Sequence, residues 1–175
     1  MGKTIMLGAC LLLSSLLTGC SLFGDQHVIN LSIQTDETTY EVKENQPLDI
    51  SYTYHNHGPN SVYLGTCLAG GASHQLEKLV EGAWITAYSP NCPSILTPAL
   101  RIRPGERYTT TLRLVPADWD PDPRNSTWHG GDDIAGTYRV PELVYSDWSK
   151  KQFDARTLPT PERVYSNSFE IRRQP

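Results

Sequence analysis

Leu48-Asp49-Ile50-Ser51-Tyr52-Thr53-Tyr54-His55 decides the fold class of this chain. Every second residue is apolar or aromatic, so Leu48, Ile50, Tyr52 and Tyr54 share one face of an extended strand, with polar residues on the other. The stretch stops at Asn56-His57-Gly58-Pro59-Asn60, a cluster of turn formers.

The same period recurs on both sides. Leu31 and Ile33 alternate with polar residues after Val28, and Tyr40 and Val42 follow a turn at Asp36-Glu37. Ser61-Val62-Tyr63-Leu64 resumes as a short strand. Gln75–Val80 and Ala83–Tyr88 flank Glu81-Gly82, a hairpin turn in which glycine supplies positive φ. Trp84 in that hairpin is assigned to the core, and Ser89–Pro93 to a loop. Arg103-Pro104-Gly105-Glu106 turns the chain into Tyr108–Leu114, with Tyr108, Thr110, Leu112 and Leu114 on one face. A long polar insertion, 116–135, precedes strands at Gly136–Val140 and Leu143–Tyr145. Residues 146–163 are expected to be irregular, and Val164–Ile171 to form the last strand. No 3.6-residue period and no internal repeat is visible beyond the N-terminal segment. About eight short strands, with most of the 13 prolines and 13 glycines between them, predict an all-β, antiparallel β-sandwich spanning 28–175.

Particular segments sharpen that expectation. The Asn56–Tyr63 corner, Leu76-Glu77-Lys78 with Gly82-Ala83-Trp84, Ile102-Arg103-Pro104-Gly105-Glu106-Arg107-Tyr108 and Gly136-Thr137-Tyr138-Arg139 resemble the strands and corners of bacterial immunoglobulin-like domains. The arrangement is similar to that of the bacterial intracellular proteinase inhibitor family and of small exported lipoproteins. The resemblance implies an immunoglobulin-like fold. It implies little about activity, because sandwich folds host many functions. Export and the pair Cys67 and Cys92 separate this chain from the inhibitor family.

The N-terminus speaks to location. Lys3 precedes an apolar run from Ile5 to Leu17, then Leu17-Thr18-Gly19-Cys20. A basic head, an apolar centre and small residues make a secretory signal over residues 1–19, too short to span a bilayer comfortably. Leu17–Cys20 resembles the lipobox of bacterial lipoproteins, which implies diacylglyceryl transfer to Cys20, cleavage before it and acylation of the new amino terminus. Residues 20–27 then form a lipidated tether. Its seven residues after Cys20 reach roughly 25 Å at most. The expected location is the extracytoplasmic side of the cell envelope. Ser21 resembles the sorting signal for the outer membrane in a cell with two membranes.

Charge and cysteine usage exclude other classes. The net charge is −4 with a pI near 5.7, and becomes one unit more negative once Lys3 leaves. No basic stripe is present, which argues against a nucleic-acid partner and against electrostatic adhesion to anionic lipid. The acyl chains must hold the membrane. Of the four cysteines, Cys10 leaves with the signal and Cys20 takes the lipid. Cys67 and Cys92 form an even pair in an oxidising compartment and are read as a disulfide.

Candidate chemistry is sparse. Asp118-Trp119-Asp120-Pro121-Asp122 has alternating carboxylates like a calcium loop, but Pro123 and His129 stand where Gly and Glu are required. His55 and His57 could reach one zinc, but no third ligand is placed beside them. No nucleophile elbow, phosphate loop, zinc-protease motif or dinucleotide fingerprint occurs. The reading is a non-enzymatic binding or envelope-scaffold protein with no cofactor and no metal; its alternatives are an exported inhibitor-like or ligand-binding module that uses the 116–135 loop and, more distantly, a metal-dependent enzyme. Trp119, Asp120, Arg124 and Trp128 in the long insertion, with Trp148 nearby, form the candidate binding group for an envelope protein or glycan. Their alternative role is to fold these segments onto the domain.

Closing the loop between Cys67 and Cys92 stabilises a fold by about 3–4 kcal/mol on the chain-entropy estimate. Non-reducing peptide mapping of protein taken from its envelope should recover one linked peptide. Two freely alkylatable thiols would refute the pairing.

Overall fold

The computed structural model describes residues 29–66, 74–90, 99–115, 126–131, 133–148 and 160–174. Cys20, Cys67, Cys92, Asp118, Trp119, Asp120, Asp122 and Arg124 lie outside the described residues. The described part is all-β, with no helix, and so contains no helix long and apolar enough to cross a membrane.

The strands are β1 (Leu31–Thr35), β2 (Thr39–Val42), β3 (Leu48–Asn56), β4 (Val62–Leu64), β5 (Leu76–Val80), β6 (Ala83–Pro90) and β7 (Leu100–Ile102). They continue with β8 (Arg107–Leu114), β9 (Ser126–Trp128), β10 (Gly136–Arg139), β11 (Pro141–Tyr145), β12 (Glu162–Tyr165) and β13 (Phe169–Arg173). They build three sheets, ordered β1-β3-β8, β2-β13-β10-β5-β6-β9 and β12-β11-β4-β7. Strand β10 runs on into β11 across Val140, and β12 into β13 across Ser166–Ser168, so the second and third sheets share two strand paths. All pairs are antiparallel except β2 beside β13, where Tyr40 lies opposite Ile171.

The strand that opens the argument behaves as its period requires. Leu48, Ile50, Tyr52 and Tyr54 are buried, and the intervening positions face outward. Its inner face meets the third sheet directly, since Tyr54 Oη donates 2.8 Å to Glu142 Oε2 on β11. Strand β8 repeats the parity, with Leu112 and Leu114 inside. The hairpin at Glu81-Gly82 has φ of 49° and 82° at its two central residues, the paired positive values of a tight turn that matches strand twist.

The corner after β3 is built around Asn56, which has no exposed surface. Its Nδ2 donates to the carbonyls of Asn60 and Ile102 at 2.8 and 3.1 Å, and its Oδ1 accepts from Gly58 N–H at 2.9 Å. Its own backbone N–H and carbonyl pair with Glu106 O and Gly105 N–H. Through its side chain Asn56 joins the end of β3 to the 57–60 corner and β7, and through its backbone to the β7–β8 turn.

Three expectations are corrected. Ser89 and Pro90 belong to β6, pairing with Thr127 and Ser126; proline is admissible there because the strand ends with it. The 116–135 insertion contains β9, and its end is packed down: His129 N–H donates to Ala87 O and Trp128 Nε1–H to Gly131 O, both at 2.8 Å. The final strand is interrupted at Ser166–Ser168, because Ser166 bonds back to Val140 on both its backbone and its hydroxyl.

Asn56→Ala removes two donated bonds and an acceptor from a fully buried position and leaves the buried Ile102 carbonyl and Gly58 N–H without these bonds. A loss of roughly 2–3 kcal/mol is expected. Urea unfolding monitored by tryptophan fluorescence measures it. A loss under about 0.5 kcal/mol would show that the corner does not depend on this side chain.

Candidate functional site

The first sheet and the other two show different chemistry to solvent. On the outer face of β3 and β8, Ser51 Oγ pairs with Thr111 Oγ1 and Thr53 Oγ1 with Thr109 Oγ1, each at 2.8 Å. His55 lies opposite Arg107 in the next position of this ladder, and the His55 and His57 ring centroids are 3.8 Å apart. This face is hydroxylated and polar.

The outer face of β6, β5, β10, β11 and β12 is aromatic and cationic. Its centre is Arg139. Register sets it opposite Glu77, and its Nε and Nη2 both donate to Glu77 Oε2 at 2.7 Å. The guanidinium carbon lies 4.3 Å from the Trp84 ring centroid and 3.7 Å from that of Tyr165, so the cation is held between two π faces. Arg163 approaches the other carboxylate oxygen at 3.7 Å, with its side chain 53% exposed. Leu79 pairs with Trp84, Pro141 with Tyr165 and Leu143 with Arg163, which places all of them on this face. Leu79, Leu143 and Tyr165 are 39%, 40% and 39% exposed. The face continues through Tyr145, opposite Tyr63, to Arg101 opposite Tyr63. Trp148 closes against Tyr145 edge-on at 4.9 Å. Its central carboxylate among the described residues, Glu77, is buried beneath Arg139 and Arg163 and already engaged.

This face offers flat rings, aliphatic side chains and guanidinium donors, the composition of protein contact hot spots. Among the described residues no group of three or more His, Cys, Asp or Glu side chains could hold a metal ion.

The sequence-derived group is not assembled there. Trp119, Asp120 and Arg124 fall outside the described residues. Trp128 is corrected: it is 8% exposed and belongs to the core, near the Tyr138 ring. A Cβ on Gly130 would come within 2.7 Å of its indole. Lys78, also buried, donates from Nζ to the carbonyls of Gly130 and Asp133 and pins the same segment; burial pulls its amine below the ordinary lysine value. Trp84 is corrected in the opposite sense, being half-buried on the outer face. Sequence reasoning missed Arg139, Tyr165 and Arg163. The available signal was parity, because Tyr138 and Val140 inside force Arg139 outside.

No family model and no curated protein matches the chain. Solved structures similar to it are loose matches. They include a β-glucosidase from Listeria innocua in complex with glucose, at 11% identity and TM-score 0.33 over 82% of this chain and 16% of that one. An alkylpurine DNA glycosylase AlkC from Pseudomonas fluorescens bound to DNA matches at 11% and 0.36 over 81% and 30%. A chain from a structure of T cell activation by the bacterial superantigen toxic shock syndrome toxin-1 matches at 8% and 0.36 over 83% and 100%. The chain thus spans about a sixth of the glucosidase it matches. Likenesses this loose assign no function.

Arg139→Met keeps much of the packing between Trp84 and Tyr165 but leaves the buried Glu77 carboxylate with only the longer, half-exposed contact to Arg163. A loss on the order of 3 kcal/mol is expected, with part recovered in the Arg139→Met, Glu77→Gln double variant. Equilibrium unfolding of all three variants checks it. Strict additivity would mean the pair is not coupled.

Proposed function

We propose that this chain is a lipid-anchored, extracytoplasmic binding protein without catalytic activity, an immunoglobulin-like β-sandwich that presents its aromatic–arginine face to a protein of the cell envelope. The single observation carrying the binding role is the Arg139 guanidinium fixed between Trp84 and Tyr165 on a face that leaves Leu79 and Leu143 open. The immunoglobulin-like assignment is supported by the way the N-terminal strand divides between layers, β1 pairing with β3 and β2 running parallel to β13. It is also supported by a core of inward-facing residues from both layers.

Anchoring at Cys20 rests on the Leu17–Cys20 sequence and the signal before it. In a cell with two membranes the sorting reading of Ser21 places the domain at the outer one. The partner is argued from complementarity. Arg101 and Arg163 border exposed apolar groups, so the matching surface carries acidic residues around an apolar centre. A glycan partner is the competing outcome of the test.

A photo-crosslinking residue at Leu143 or Tyr165 in living cells should yield a discrete protein adduct, and one at Thr109 on the polar face should not. Leu143→Glu should weaken capture at least tenfold while leaving the melting temperature within a few degrees. Equal adducts from both faces, or adducts sensitive to glycan-degrading enzymes alone, would overturn the assignment. Cys20→Ser should lose labelled palmitate, and equal incorporation in the two forms would overturn the anchor.

A further inference from the structure

We infer that the groove on the polar face, running along β1, is a proton-gated site for a tetrahedral oxyanion, a phosphate or sulfate group. The groove is about 560 Å³ and open to solvent, and Ser32, Thr53, His55, His57 and Arg107 line it with Asp36 at one end. Its donors are of the kind that oxyanions accept from. Arg107 is fixed opposite His55 by the β3–β8 register, and Ser32 opposite His55 by the β1–β3 register. Ser32 Oγ lies 2.8 Å from His57 Nε2. The one carboxylate lining the groove, Asp36, is engaged by the Tyr40 hydroxyl. Glu106, just before Arg107, is engaged with the Arg103 N–H at 2.7 Å. A metal ion is the poorer occupant, since the two imidazoles stand beside a permanent cation with no third ligand among the described residues.

Proton gating follows from the spacing. Imidazoles with centroids 3.8 Å apart repel when both are charged, and Arg107 adds to the repulsion. Desolvation, then His57, then Arg107 hold His55 below the ordinary histidine value. An anion between these groups removes that repulsion, so binding and proton uptake reinforce each other. Affinity therefore rises as pH falls through the histidine range and declines above it.

Position names the sources. His57 N–H donates 2.8 Å to Asn30 O, so the groove opens beside the residues that follow the tether. Ten residues separate Asn30 from Cys20, a reach of at most about 34 Å. If Cys20 is acylated, as proposed above, lipid phosphodiesters lie within range, and a soluble oxyanion is the other source. The net negative charge still leaves anchoring to the acyl chains.

The test is histidine side-chain NMR on the full chain in non-ionic detergent, with sodium sulfate as probe because its charge is constant from about pH 5.5 to 7.5. Chloride of matched ionic strength is the blank. Saturable shifts of His55 and His57 are expected, with an apparent Kd at least tenfold lower at the acid end of that range than at the alkaline end. Arg107→Gln should abolish most of the effect, and exposed His129 should not respond. In a second arm, the protein in phosphatidylglycerol nanodiscs is compared with phosphatidylcholine alone. Shifts in phosphatidylglycerol without sulfate assign the site to a headgroup, and shifts with sulfate alone assign it to a soluble anion; both uphold it. No saturable shift in either arm, equal affinity at both pH values, or indifference to Arg107→Gln overturns it. The sulfate arm does not require lipidation, so failure of the Cys20 reading leaves it decisive.

Discussion

A core filled with tyrosine must find a partner for every hydroxyl it takes out of water, and the arrangement of this domain depends on meeting that demand. Tyr40, Tyr52, Tyr54 and Tyr138 are all buried. Tyr40 donates to Asp36 and to Ser51 O, which ties β2 to β3. Tyr52 bonds to His74 Nδ1, Tyr54 donates to Glu142 and Tyr138 donates to Ile134 O. Burial pushes all these phenols well above their ordinary values, so they remain neutral donors at any physiological pH. Burial also lowers His74, which keeps a neutral imidazole beside Tyr52. Each bond joins segments that the strand ladders alone would leave free to slide, since apolar contact is not directional and a hydrogen bond is.

Much of this was legible wherever one strand face is wet. The alternation in 48–55 and 108–114 predicts the inner faces of β3 and β8 because their outer faces are polar and the period is unbroken. The hairpin at Glu81-Gly82 is a local event and reads locally. The two tryptophan assignments failed for one shared reason. An indole suits either a core or a wet aromatic face, and only register decides which. Trp128 enters the core because β9 pairs with β6. Trp84 leaves it because its parity matches Leu79 and Glu77 rather than Lys78. The Arg139 cluster draws on positions 77, 84, 139, 163 and 165, so no short motif could announce it. Asn56 was legible as a turn residue, but its contacts to Ile102, Gly105 and Glu106 are not local.

The contrast between the outer faces follows from the same demand for partners. Cross-strand hydroxyl pairs satisfy one another and leave the β3–β8 face with little left to offer an apolar partner. The aromatic face holds its central acid among the described residues, Glu77, beneath two guanidinium groups. What it shows to solvent is therefore rings and aliphatic side chains, which water solvates poorly, bordered by guanidinium groups.

Arg139 shows why such a face can contact a partner at low entropic cost. A free arginine loses about 2 kcal/mol of rotamer freedom when an interface fixes it. Here Trp84, Tyr165 and Glu77 have already removed that freedom in the isolated domain. The same contacts hold the two rings in place, so their outward surfaces are presented in a fixed arrangement. Ordering done during folding is not repeated on binding, and preorganisation of this kind, more than contact area, separates tight surfaces from merely apolar ones. The residues that stabilise the sheet at this point are thus the ones that fix its outer face, which is what the proposed contact with a partner requires.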